Sequence, residues 1–199
     1  MSQRVRATAL WLLASGLALS ACSGGQPEGG AESTPSGPGV EEWADSVCTS
    51  LGDLITDIDA IGEGLTVELG TGDALDQVKA QLRTDVDTAG ASLDTLVAAI
   101  GDAPETDGAD ELQDVLEAER SDMASATLDA REAAQVVLAT TTVVDYLGAA
   151  GAALTATSVA LAEARSYAAD VTSSASAAGE TVSDAFAGEE SCDALPDRG

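Results

Sequence analysis

Three cysteines, 35 carboxylates and not one histidine set the chemistry this chain can attempt. Without imidazole there is no Ser-His-Asp or Cys-His pair to activate a nucleophile, and no histidine metal ligand. Cys22, Cys48 and Cys192 could serve as nucleophiles, acylation sites, metal thiolates or disulfide halves, and their surroundings must decide. Neither glycine-rich phosphate loop, G-x-x-x-x-G-K-[ST] or G-x-G-x-x-G, is present. Carboxylate pairs are abundant, but a chain this acidic makes them by chance. Glycosidase-type acid/base work also needs a cleft with aromatic walls. After residue 21 the only aromatics are Trp43, Tyr146, Tyr167 and Phe186. No catalytic, cofactor-binding or metal-ligating set is assigned, and the expectation is a protein that is not an enzyme. An enzyme using carboxylates alone would need a concave pocket in which they converge.

One acidic segment comes close to a metal site. Residues 57–68, from Asp57 through Asp59 and Gly62 to Glu68, resemble the calcium loop D-x-[DN]-x-[DN]-G-x5-E, with acids at positions one, three and twelve and glycine at six. The pattern fails at position five, where Ile61 offers no side-chain oxygen, and at position nine, which is Leu65. Ile58 and Ile61 also continue an apolar stripe that a core would claim. The bland reading is therefore a helix end followed by a solvated loop. The alternative is an extracytoplasmic metal- or ligand-responsive sensor that uses this loop.

The elements that must position these residues are helices. Trp43, Val47, Leu51, Leu54, Ile58 and Ile61 recur at steps of four, four, three, four and three, one stripe of a helix that Gly62 and Gly64 should end. Leu75, Val78, Leu82, Val86, Leu93, Leu96 and Ile100 mark a second helix, entered at Thr71–Asp73 and stopped by Gly101. Residues 102–108 read as a loop by composition. A third helix should run from Ala109 to about Leu147, weakened at Thr140–Val144 where β-branched side chains crowd. A turn at Gly148–Gly151 would lead to a fourth helix reaching about Phe186. Strand-like alternation is absent from the sequence. The expected fold is all-α: an elongated antiparallel up-down four-helix bundle over 41–193, with residues 194–199 a disordered tail.

An even number of antiparallel helices returns the chain to the end where it began. Cys48 in the first turns and Cys192 after the last helix then become neighbours. A disulfide between them is the favoured reading in an oxidising compartment. Two free thiols or an intermolecular bridge are the alternatives.

The compartment is indicated by the N-terminus. Arg4 and Arg6 precede an uncharged run over 7–21, the layout of a secretory signal over 1–21. The run is short for a span, which takes roughly 20 apolar residues. It ends in Leu19-Ser20-Ala21-Cys22, which resembles the lipobox of bacterial lipoproteins. The bias of one lysine against seven arginines gives the resemblance an actinobacterial cast. The resemblance implies lipidation of Cys22, cleavage before it, and anchoring on the extracytoplasmic face of the cell membrane, and it implies no assigned activity. An ordinary signal peptide cleaved near Ala21, with Cys22 incidental, is the competing reading. Residues 23–40, with six Gly, three Pro and three Ser, form the tether expected behind such an anchor. The resemblance is specific over residues 1–40 and generic beyond.

After residue 21 the chain has six basic and 35 acidic residues, a net charge of −29. That argues against nucleic acid and anionic headgroups as partners. Between Glu132 and Glu163 the only ionised residue is Asp145. A transmembrane hairpin, two buried helix ends, or an apolar tip overhanging its neighbours would each explain this stretch. The tip reading places a protein contact at Tyr146 and Leu147, at the end of the bundle farthest from the anchored terminus. It belongs to the function expected here: a lipid-anchored binding or structural module, an accessory subunit of an envelope complex.

Overall fold

The helical periods are realised in a computed structural model that describes residues 38–66 and 72–196. The signal, Cys22, most of the tether, Val67, Glu68 and the last three residues lie outside the described residues. Four long helices, α1 (Val40–Leu65), α2 (Gly72–Gly101), α3 (Ala109–Ala139) and α4 (Val143–Ala177), are followed by the short α5 (Glu180–Gly188) and α6 (Glu190–Asp193). Each long helix packs on the next, and α4 closes the circuit against α1. The result is an all-α antiparallel bundle, with no strand among the described residues.

The predicted stripe of α1 is the spine of the core. Trp43, Val47, Leu51, Leu54, Ile58 and Ile61 are all buried. All but Ile61 meet Leu93, Leu96 and Ile100 of α2, Leu112, Leu116 and Met123 of α3, and Tyr167 and Val171 of α4 in one large cluster. A second, smaller cluster lies toward the α3–α4 turn. It holds Ile61, Leu65, Val78, Leu82, Val86, Val137 and Tyr146, with Ala89, Ala134, Ala150 and Ala153 between them. The buried face of α4 is mostly alanine, so its neighbours approach it closely.

Three boundaries differ from the sequence reading. First, α1 does not stop at Gly62 or Gly64 but continues to Leu65. A Cβ placed on Gly62 would stand 3.5 Å from the Thr157 methyl of α4, so this glycine marks a helix crossing. Burial of Ile61 and Leu65 on either side outweighs a glycine cost of about 1 kcal/mol. Second, the turn between α3 and α4 is Thr140–Thr142, not Gly148–Gly151, which lies inside α4. The threonines make the turn themselves. Thr140 is extended, and its hydroxyl donates to the Val137 carbonyl at 2.7 Å. The Thr142 oxygen accepts the Asp145 amide at 3.1 Å, while its hydroxyl donates to the Asp145 carboxylate at 2.7 Å. This is a capping pair, and it starts the new helix. Lys79, the chain's only lysine, reaches from α2 to donate to the carbonyls of Leu138 and Thr140, closing the α3 end.

Third, the fourth helix breaks at Ala178–Gly179 instead of running through Phe186. Gly179 has φ +104, and Gly108, at φ +88, is so close that a Cβ there would collide with the Ala178 carbonyl. The α2–α3 loop thus presses on the break. Beyond it α5 turns inward and sets Phe186 edge-on to Trp43, ring centroids 5.5 Å apart. Helix α6 then brings Cys192 to Cys48, with Cα atoms 4.9 Å apart in a disulfide. The tail expected to be disordered from residue 194 is in part ordered, because Leu195 packs against the large cluster.

Candidate functional site

The acidic segment 57–68 is not a loop where it is described. Residues 57–65 are helical, and Asp57 and Asp59 project from α1 on different sides. The Asp57 carboxylate accepts a hydrogen bond from Ser92 of α2 at 2.5 Å, whereas Asp59 is exposed. A continuous helix separates acids that a calcium loop would fold around one ion. Over 57–65 the sensor reading is therefore without the loop it assumes, and Glu68 lies outside the described residues. Among the described residues no group of three or more Cys, Asp or Glu side chains is placed to hold a metal.

The candidate contact at Tyr146 and Leu147 divides in two. Tyr146 is 1% exposed, on the same face as Ala150 and Ala153, and sits in the smaller cluster. Burial raises the pKa of its phenol, and its hydroxyl finds no hydrogen-bond partner among the described residues. Leu147, one residue on and about 100° around the helix, is 64% exposed. Tyr146 is thus removed from the contact, and Leu147 stays on the surface. The other buried tyrosine is fully engaged: the Tyr167 hydroxyl donates to the Leu116 carbonyl at 3.0 Å, and burial pushes its pKa well up.

Other apolar side chains join Leu147 on the surface. Val143 and Val144 open α4, Val159 stands about four turns farther along it, and Val136 lies near the end of α3; all four are exposed. Of these, Val143 and Val144 belong to the apolar tip expected from the sequence, whereas Val136 and Val159 do not. For Val159 the signal was present, however: Tyr146 to Ala162 is 17 residues without a charge, more than one buried face can use. Helix α4 is long and apolar enough to cross a membrane by length and composition, with 28% of its most apolar stretch buried. That buried share is Tyr146, Ala150, Ala153, Thr157 and Ala160, the face turned to the bundle.

Beside Val159 the seam between α3 and α4 forms a shallow groove. Ala126 and Ala156 lie in it with Val159, and Asp122, Asp129 and Glu163 line it as well. No lysine or arginine does. The outward side of α4 therefore combines an uncharged strip with neighbouring carboxylates. Such a surface can bind an apolar, cationic group; nothing in it resembles a nucleophile with its base. The chain matches no protein-family model, and no curated protein or solved structure matches it either.

Proposed function

We propose that this chain is a lipid-anchored, non-enzymatic binding module on the extracytoplasmic face of a bacterial cell membrane, an accessory subunit of an envelope complex. The observation that carries the reading is Leu19-Ser20-Ala21-Cys22 at the end of an uncharged run behind Arg4 and Arg6. Two or more acyl chains on Cys22 would hold the protein where a single chain would not. Residues 23–39 would then join the anchor to the start of α1.

Two further features support the reading. A Cys48–Cys192 disulfide suits an oxidising compartment. The strong negative charge keeps the domain off an anionic surface and makes contact with nucleic acid unfavourable. The protein contact is assigned to the surface around Leu147, at the end of the bundle opposite the start of α1.

The test is cell fractionation. Wild-type protein should sediment with membranes at mature length. The Cys22→Ala variant should appear in the soluble or secreted fraction, or stay unprocessed. A variant that fractionates with membranes at the wild-type mature length would remove the basis for lipid anchoring.

A further inference from the structure

We infer that the outward face of α4, from Val144 to Ala162, is the docking surface for an amphipathic helix of another protein whose apolar ridge is flanked by lysine or arginine. The inference rests on the binding-module reading above and specifies the partner's chemistry. Three observations lead to it. Val144, Leu147 and Val159 are 79%, 64% and 50% exposed on a strip whose one charged residue is Asp145, in its first turn. Between these larger side chains the exposed positions are small, including Gly148, Gly151, Thr155 and Ser158. A helix can lie close along such a strip, which is about 28 Å long at 1.5 Å per residue. Asp122, Asp129 and Glu163 then border it at Val159, with no basic residue lining the groove.

Charge decides among the occupants. A second copy would bring one row of carboxylates against another. An anionic bilayer meets the same repulsion. The chain's own tether, residues 23–39, has two glutamates and no basic residue, and its only apolar side chain is Ala31. A partner helix with apolar residues on one face and cations beside them satisfies both the strip and its rim. This is the helix-in-groove mode of recognition with electrostatic complementarity added.

The test uses the full chain and two synthetic helical peptides that share one leucine/alanine face. One peptide carries lysines beside that face and the other carries glutamates. Fluorescence anisotropy should show the lysine peptide binding about tenfold or more tightly than the glutamate peptide, less so at high salt. Leu147→Glu and Val159→Glu should each weaken the lysine peptide about tenfold. Leu128→Glu, at an exposed apolar position that does not line the groove, makes the same charge change and should have little effect. If either glutamate variant loses helix content, Leu147→Ser and Val159→Ser carry the same comparison.

The inference is overturned if the lysine peptide does not bind, if both peptides bind alike, or if all three glutamate variants weaken binding equally. A wild-type dimer that Leu147→Glu dissociates would identify a second copy as the occupant. Flotation of the Cys22→Ala chain with zwitterionic vesicles, lost in Leu147→Glu, would identify a bilayer. None of these readouts depends on lipidation, so failure of the anchor and failure of the docking face remain distinguishable.

Discussion

The two ends of the bundle are built from different materials. At the end where α1 begins, Trp43 and Phe186 stack edge to face, the Trp43 indole donates to the Ala99 carbonyl at 2.9 Å, and the Cys48–Cys192 bridge ties α6 to α1. At the end where α3 turns into α4, the core is aliphatic, valine and alanine with Ile61, Leu65 and Leu82, around a single tyrosine, and the turn is held by threonine caps and one lysine. The first end buries its large side chains. The second leaves Val136, Val143, Val144 and Leu147 exposed. Stability is concentrated where the chain enters and apolar surface where it turns back. On the proposed reading the base of the bundle would be the mount, and the far end would carry the contact surface.

The largest expected effect tests the mount. A Cys48→Ala/Cys192→Ala double variant frees a loop spanning 144 positions. In the chain-entropy account it should lose up to about 5 kcal/mol of unfolding free energy. Urea denaturation of oxidised wild type and the variant measures this. A loss below about 1 kcal/mol would mean that α5 and α6 dock without the bridge, and the asymmetry between the ends would rest on packing alone.

Next in size is Trp43→Ala. The indole is 1% exposed, it abuts Phe186, and its removal leaves the Ala99 carbonyl without that donor. A loss of about 3–5 kcal/mol follows from cavity formation and the lost hydrogen bond. Hydrogen exchange should then show faster opening in α5 and in the first turns of α1. If protection falls first around Thr142 instead, the two ends are more tightly coupled than their compositions imply.

A smaller effect belongs to the other end. Thr142→Ala removes the acceptor for the Asp145 amide and should cost about 1 kcal/mol. The opening it causes should be local, with amides at 143–147 exchanging faster and the disulfide end unchanged.

How far each end could be read from sequence follows the same division. The stripe of α1 was legible because large apolar residues at helical spacing have one physical use, burial on one face. The Cys48–Cys192 pair was legible because a circuit of antiparallel helices returns to its start, and the short α5 and α6 do not move Cys192 away from that end. Glycines at 148 and 151 suggest a turn there, whereas threonine caps and a cation from α2 provide a stronger stop at Thr140–Thr142. Gly62 and Gly64 resemble a helix end locally, but their neighbours come from elsewhere in the chain, Thr157 of α4 beside Gly62 and Leu82 and Asp85 of α2 beside Gly64. The Gly179 break depends on contact with Gly108, which local sequence does not record. Tyr146 and Leu147 were joined because they are adjacent in the chain, but on a helix adjacent residues face different ways. The uncharged run was visible, while which of its residues face outward was set by tertiary packing.

The smallest effect should have the opposite sign. The Tyr146 hydroxyl is buried and lacks a hydrogen-bond partner among the described residues, so folding strips its water without replacement. Tyr146→Phe keeps the ring and removes the orphaned group. Stability at neutral pH should be unchanged or higher by up to about 1 kcal/mol. The difference should widen in alkali. Burial raises the Tyr146 pKa above its ordinary value of 10.0. The stability tied to its neutral phenol is therefore complete below pH 10 and lost as pH climbs from the unfolded toward the folded value. Tyr167, raised for the same reason, contributes a parallel loss in both proteins and cancels in the comparison. Wild type should thus fall faster than Tyr146→Phe above about pH 10. A variant less stable than wild type at neutral pH would show that the hydroxyl has a partner, and this end of the bundle would then be specified by a polar contact as the other is by Trp43.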